Sequence, residues 1–326
     1  MAIPFHGSQY PGRGGHYESW FLRANDPGAA RAFWIRYTQF IAADGRPPLG
    51  EIWAIWFDAE RASPVAVKQE FPLADCRFDR REMNVELPTA TLKSGALAGN
   101  AELGENRIAW DLGYEGDSAP ILLLPRAFYD RSLPKAKSVT SRPQVRYRGT
   151  IKVNGETFEI DGWPGSENHN WGSKHTDEYA WGQVATFDEQ PDAFFECITA
   201  RLRVGPVMTP RLSIACLRLD GRDYVFNAPI TALRAKGSYR YFSWQLETKH
   251  GGHRLRATIE APADRFAGLT YYNPPAGQKT CLNSKLASCE LEFRRAGGAP
   301  IRLRSRHGAA FEIFTDRSDH GIPLSV

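Results

Sequence analysis

Residues capable of chemistry crowd into one span of this chain, GWPGSENHNWGSKHTDEYAWGQ at 162–183. It holds Trp163, Trp171 and Trp181, His169 and His175, and the carboxylates Glu167, Asp177 and Glu178. Pro164, Gly165 and Gly172 predict a turn or tight loop over its first half, with a strand beginning at Tyr179. Loops that bring aromatic and titratable groups together are common seats of binding and catalysis. The plain alternative is a packed aromatic corner in which His169 and Asn170 bond the backbone.

A second signal is one residue long. Period-two alternation in AFFECITARL puts Glu196 on a strand face with Phe194, Ile198, Ala200 and Leu202. Burial raises a carboxyl pKa, and a neutral carboxyl can act as a general acid near neutrality. An arginine partner on the next strand, or exposure by a register break at the DEQPD turn, would remove that role. Glu18 shares a face with Trp20 and Leu22 and is a second candidate acid, or an edge-strand charge. Glu196, Glu18 and His169 form the candidate catalytic set. Trp171, Trp181 and Tyr271 would offer ring faces to a developing cation. His169 and Gln183 would orient substrate or water, and Asn170 beside His169 could hydrogen-bond a ligand. Tyr271 and Tyr272 in LTYYNPP, with Asn283 and Lys285 in CLNSKLA, would line the other side of a pocket or anchor turns. HNWGSKH alone does not make a metal site, and none is expected.

These groups need a scaffold, and the rest of the chain describes one. Its 326 residues are 42% hydrophobic and 24% charged, with nine Trp, as expected of a globular protein rich in aromatic strands. The net charge of +4 comes without a dense Lys/Arg block, so no nucleic-acid partner is expected. Five scattered cysteines form no Cys-x-x-Cys pair. The start lacks a charged and then apolar leader, and no run nears the ~20 apolar residues of a spanning helix. A cytoplasmic protein without membrane insertion is expected; the oligomeric state is left open. There is no Gly-x-Ser-x-Gly elbow, phosphate loop or dinucleotide fingerprint, so no nucleotide cofactor, nor any other, is expected.

Strand signals recur with turns about every ten residues. EIWAIWFDA is apolar on both faces, which predicts cover on both sides. NRIAWDLGYEG alternates Ile108, Trp110, Leu112 and Tyr114. Asn154-Gly155 predicts a type I′ hairpin with Ile151 opposite Phe158. Residues 1–15 read as a Gly/Pro-rich arm, and 117–143 as a long connection with one short helical turn. No stretch keeps a helical period. The class is all-β, in two successive antiparallel barrel or sandwich domains, 1–189 and 190–326.

HNWG at 169–172, followed by the tryptophan strand YAWGQ, resembles the lipocalin-like superfamily of bacterial carotenoid hydratases (hydroxyneurosporene synthases), plant tocopherol cyclases and fungal Diels–Alderases. HYESWFLRANDP, AFWIRYT and GLTYYNPPAGQKTCLNSKLA resemble a bacterial branch of it. The resemblance implies two tandem lipocalin-like β-domains with an apolar pocket within or between them. It implies enzymes that hydrate, cyclise or join polyene and prenyl substrates without a nucleotide. Gln183 stands where several relatives carry a basic residue. No residue clearly matches the acid proposed to protonate the carotenoid double bond. The expected function is acid-assisted hydration, cyclisation or isomerisation of a hydrophobic small molecule. The alternative is a lipophilic-ligand carrier without chemistry.

Overall fold

The computed structural model describes residues 6–326. The first sheet runs from β1 to β11: β1 (His16–Asn25), β2 (Arg31–Ile41), β3 (Leu49–Asp58), β4 (Val65–Pro72), β5 (Arg77–Phe78), β6 (Asn84–Leu87), β7 (Ala90–Lys93), β8 (Ala96–Leu103), β9 (Asn106–Glu115), β10 (Ala136–Val153) and β11 (Glu156–Gly172). Its spatial order is β4-β3-β2-β1-β11-β10-β9-β8-β7-β6-β5. The chain continues through β12 (Glu178–Val184), β13 (Phe194–Arg201), β14 (Arg203–Val204), β15 (Val207–Met208), β16 (Leu212–Leu219), β17 (Arg222–Phe226) and the short helix α1 (Pro229–Arg234). It ends with β18 (Lys236–Arg240), β19 (Ser243–His250), β20 (His253–Glu260), β21 (Ala267–Tyr272), β22 (Gln278–Arg294) and β23 (Pro300–Thr315). The second sheet has the order β17-β16-β13-β12-β23-β22-β20-β19-β18, with β21 added to β22 and β14–β15 apart. The fold is all-β and antiparallel, as expected. The chain changes sheet between Gly172 and Glu178, ahead of the 189/190 division read from the sequence, because β12 pairs with β13 and β23.

Each sheet curls around its own core. Trp20, Leu22, Phe33, Trp56, Trp110 and Tyr147 fill the first. Phe195, Leu217, Trp244, Phe293 and Phe311 fill the second. A third cluster joins the outer faces: Phe21, Trp34, Trp53, Ile55 and Phe57 meet Trp181, Leu269, Tyr271, Cys281 and Phe314. An antiparallel strand commonly solvates one face. β3 cannot, since Ile52, Ala54 and Trp56 point into the first core and Trp53, Ile55 and Phe57 into the interface. This explains the two-sided apolar pattern of EIWAIWFD.

The Asn154-Gly155 hairpin has positive φ at both residues (49° and 92°) and pairs Ile151 with Phe158. The long connection spans 116–135 and contains one 3-10 turn, Arg126–Phe128. Residues 1–5 of the expected arm lie outside the described residues; Ser8 of its remainder is buried and donates to Glu18 Oε2 at 2.7 Å.

One expectation is corrected. Residues 162–172 are not a loop but the second half of β11. Their glycines serve close strand packing and a bulge rather than a turn. Gly162 (φ 66°) takes up the extra residue between the pairs Tyr147–Trp163 and Arg148–Asp161. Pro164 follows beside this irregularity, where a missing N–H is tolerated. At Gly165 an added Cβ would lie 2.0 Å from the Arg23 carbonyl oxygen and 2.8 Å from Ala24 Cβ. Gly165→Ala should therefore destabilise the protein by about 1–3 kcal/mol in urea titrations. Gly28→Ala, whose added Cβ meets nothing closer than 3.5 Å, should be near neutral; equal stability of the two variants would contradict this account of β11.

Candidate active site

Stacking the two sheets leaves a cavity of about 590 Å³ between their outer faces. Phe21, Ser138, Asn168 and Asn170 line it from the first sheet, and Tyr179, Trp181, Glu196 and Ile198 from the second. Tyr17, Trp34, Arg36, His175 and Tyr271 form the side under β2 and β21. Leu123, Leu124, Phe128 and Leu133 of the long connection, with Ala232 and Leu233 of α1, form the far side. A row of directly paired residues crosses the first-sheet wall: Arg36, Phe21, Asn168 and Thr140.

Glu196 is 3% exposed, on the face that the alternation predicted. Trp181 Nε1 donates to its Oε1 at 3.0 Å, and Thr140 Oγ1 donates to its Oε2 at 2.8 Å. Burial pushes its pKa up; the two hydrogen bonds and the distant charge of Arg23 pull it down, and it comes to rest at about 7. The donor sense of Thr140 is set by its neighbours. Gln183 Oε1 accepts from Arg23 Nε (2.9 Å) and Ser166 Oγ (2.7 Å), so Nε2 is the end that faces Asn168 Oδ1 (2.8 Å) and Thr140 Oγ1 (3.2 Å). Thr140 thus accepts from Gln183 and gives its one proton to the ionised Glu196; when Glu196 is neutral, that proton can turn to Asn168 Oδ1 at 3.3 Å, which leaves Thr140 Oγ1 as an acceptor for the Glu196 O–H.

Glu18 has the opposite character. It is fully buried but lies behind the wall, among the residues of the first core. It accepts from the Gln9 backbone N–H (2.6 Å) and Ser8 Oγ, and contacts His16 Nε2 (3.1 Å) and His169 Nε2 (2.8 Å). Burial alone would raise its pKa, but the hydrogen bonds and charges of His16 and His169 overcome it and hold the carboxyl at about 2. Such a group has no proton to donate at neutral pH. His169 belongs to the cavity wall, yet its ring is turned inward, stacked 4.6 Å from Trp20 and 4.8 Å from Trp171.

The remaining expected residues divide by place. Trp181, Asn170 and Tyr271 line the cavity with Glu196. The Asn170 Oδ1 is buried without a partner. Trp171 packs behind the wall with Tyr129 and Val139. Gln183 is one layer back, holding Thr140. Asn283 and Lys285 form a buried knot with Glu312: Lys285 Nζ reaches Glu312 Oε1 at 2.8 Å and Asn283 Nδ2 reaches it at 3.1 Å. Burial draws the Lys285 pKa down. Tyr272 lies outside the cavity, its ring 4.3 Å from Lys68 Nζ. Sequence reasoning missed Thr140, Asn168, Trp34, Arg36 and Glu312. A charge at a period-two position on an apolar face, the signal used for Glu196, marks Arg36 in AFWIRY and Glu312 in AAFEIF equally well. Thr140 has no such mark. Among the described residues no cluster of three metal-ligating side chains occurs, and no helix is long and apolar enough to cross a membrane.

The tocopherol cyclase-like family profile matches residues 143–313, more than half of the chain and inclusive of HNWG and YAWGQ. Uncharacterized protein Rv0493c of Mycobacterium tuberculosis strain H37Rv is 24% identical over 297 residues, covering 87% of this chain and 83% of the relative. Two crystal structures share the fold. A Nitrosomonas europaea protein described as an AttH superposes with a TM-score of 0.55 at 15% identity, covering 96% of this chain and 98% of its own. Kievitone hydratase of Nectria haematococca gives 0.58 at 11% identity, covering 97% and 93%.

The Glu18 geometry makes a stability prediction. A depressed folded pKa contributes stability that is present above the ordinary value of 4.5 and is lost as pH falls toward about 2. Glu18→Gln should cost about 3 kcal/mol at neutral pH, and the gap to wild type should close between pH 4.5 and 2. Urea midpoints across that range measure it; a gap constant with pH would refute the assignment.

Proposed function

The chain belongs to the tocopherol cyclase-like family, and we propose that it is an enzyme that hydrates, cyclises or isomerises an apolar, conjugated small molecule by acid catalysis at Glu196. One observation carries the reading: a desolvated carboxyl with a pKa of about 7 faces an apolar cavity, with only two neutral hydrogen-bond partners.

The steps balance with one acid. The Glu196 O–H proton adds to one carbon of a substrate double bond, whose π pair forms the new C–H bond. The neighbouring carbon becomes cationic. Trp181 and Trp34 line the cavity, and an indole ring stabilises such a charge by about 0.5–2 kcal/mol where its face meets it. Water then supplies a lone pair, giving a hydrated product, or a hydroxyl of the substrate does so, closing a ring. The proton released from that oxygen returns to the Glu196 carboxylate. Loss of a neighbouring C–H proton instead gives an isomer. Asn170 Oδ1, an acceptor without a protein partner, positions the attacking O–H. No step consumes a cofactor. The cyclase of the family name and the hydratase among the structural neighbours correspond to two fates of one cation, which supports the reading without choosing between them.

The test pairs turnover with pH. Purified protein is incubated with polyene, terpenoid and polyketide extracts, and mass spectrometry looks for products that are isomeric or heavier by one water. Glu196→Gln should fold and lose about 100- to 10,000-fold in rate. Wild-type kcat/KM should fall about tenfold per pH unit above about 7, as the acid ionises. Stability offers an independent readout. A raised folded pKa gives stability that is present below 4.5 and lost as pH rises through about 7. Wild type should lose on the order of 3 kcal/mol across that window relative to Glu196→Gln. Undiminished rates in the variant would remove Glu196 from the mechanism. Retention of unchanged compounds with no product would leave a carrier.

A further inference from the structure

The side of the cavity opposite Glu196 contains an unanswered set of donors. Arg36 is 4% exposed and lines the cavity. Its guanidinium carbon lies over the Tyr271 ring, 4.2 Å from the centroid, with the Trp53 ring at 5.7 Å. Neither ring supplies a hydrogen-bond acceptor to its edge. Among the described residues that edge makes one, Nη2 to Ser19 Oγ at 2.7 Å, and its Nε–H is buried without a partner. Trp34, two residues earlier on the same strand face, also lines the cavity and also has a buried, unpartnered Nε1–H.

The nearby carboxylates do not answer them. Glu51 is engaged by Lys68 Nζ (3.0 Å) and Trp53 Nε1 (3.2 Å). Glu312 is engaged by Lys285 and Asn283. Among the described residues, none lies within 4 Å of Arg36. Burial opposes the charge of Arg36, but its surroundings, with the carboxylates Glu51 and Glu312 among them, outweigh it and keep the guanidinium ionised. His175, on the same side, is held neutral, its pKa drawn down to about 3 by burial and by Arg36. A buried cation with free edge donors is costly unless something completes it.

We propose that the substrate supplies the missing anion. The cavity takes an apolar, unsaturated carboxylic acid, its carboxylate received edge-on by Arg36 with Trp34 as a second donor. A planar, singly charged acceptor matches the guanidinium fork. The head then fixes where chemistry occurs. Arg36, Phe21, Asn168 and Thr140 are successive cross-strand partners, so three strand spacings, roughly 14 Å, separate the head site from the Thr140–Glu196 pair. The reacting double bond lies about that far from the carboxylate. The head site rests on the cavity being the substrate site and not on Glu196 being the acid; the distance to the reacting double bond rests on both.

Binding without turnover tests it. Tryptophan fluorescence titrations compare retinoic acid with retinol and methyl retinoate, and dodecanoic acid with dodecanol. Wild type should prefer each acid by at least about tenfold, as a charge-assisted pair in a buried site implies. Arg36→Met should abolish the preference while still binding the alcohols, and Trp34→Phe should reduce it severalfold. Equal affinities in wild type, a preference that survives Arg36→Met, or no binding of any acid would overturn the proposal. If Arg36→Met does not fold, the acid, alcohol and ester series on wild type decides alone. Glu196→Gln separates the two readings. A head-group preference with undiminished turnover in that variant overturns only the acid, and turnover loss without a preference in wild type overturns only the head site.

Discussion

Arg23 of β1 is the tie on which the site depends. It is fully buried and crosses from the first sheet to the second, with Nε on Gln183 Oε1 and Nη2 on the Gln183 carbonyl. Nη1 turns to Asn25, whose amide nitrogen donates to the carbonyls of Lys285 and His307. Both sheets are thereby held in one relative position. The same contact orients the Gln183 amide, which donates to Thr140, itself a hydrogen-bond partner of Glu196. Burial draws the Arg23 pKa down to about 10, still well above neutrality. Its positive charge helps keep the Glu196 pKa near 7 rather than higher. The contact that docks the sheets also tunes the Glu196 carboxyl.

The location of the cavity follows from how the sheets spend their apolar residues. Large side chains fill both curled interiors, Trp20, Trp56 and Tyr147 in one and Trp244, Phe195 and Phe311 in the other. Room is left between the outer faces where the two sheets meet. Near β3 and β21 the faces interlock through Trp53, Ile55 and Leu269. Toward β10 and β13 they part, and the long connection and α1 cover the gap.

The fold was legible because it rests on local patterns. Alternation marked the strands, and Asn154-Gly155 marked a hairpin and its register. The two-sided apolar run of β3 even announced the interface, though not its partner. Glu196 and Trp181 were legible for the same reason, since a face is a local property. The polar set around them was not. Arg23 and Gln183 are 160 residues apart, and Thr140 and Glu196 are 56 apart. Nothing in either segment alone names its partner. The glycines of 162–172 misled, because a glycine that lets strands approach and one that makes a turn look alike in sequence. Only the 2.0 Å approach of the Arg23 carbonyl to the place of a Gly165 Cβ tells them apart.

Glu18 and Glu196 show how far residue type and burial fall short of chemistry. Both alternate with apolar neighbours, and both are withdrawn from water, at 0% and 3% exposure. Desolvation is the largest influence on each, and it pushes both pKa values up. Their fates diverge through their partners. Glu18 meets two imidazoles, a hydroxyl and a backbone N–H, enough to hold it ionised. Glu196 meets one indole and one hydroxyl, both neutral, too few to offset its burial. A carboxyl keeps its proton near neutrality where the surroundings stop short of satisfying its charge. A third donor at Glu196 would bring its pKa down toward that of Glu18.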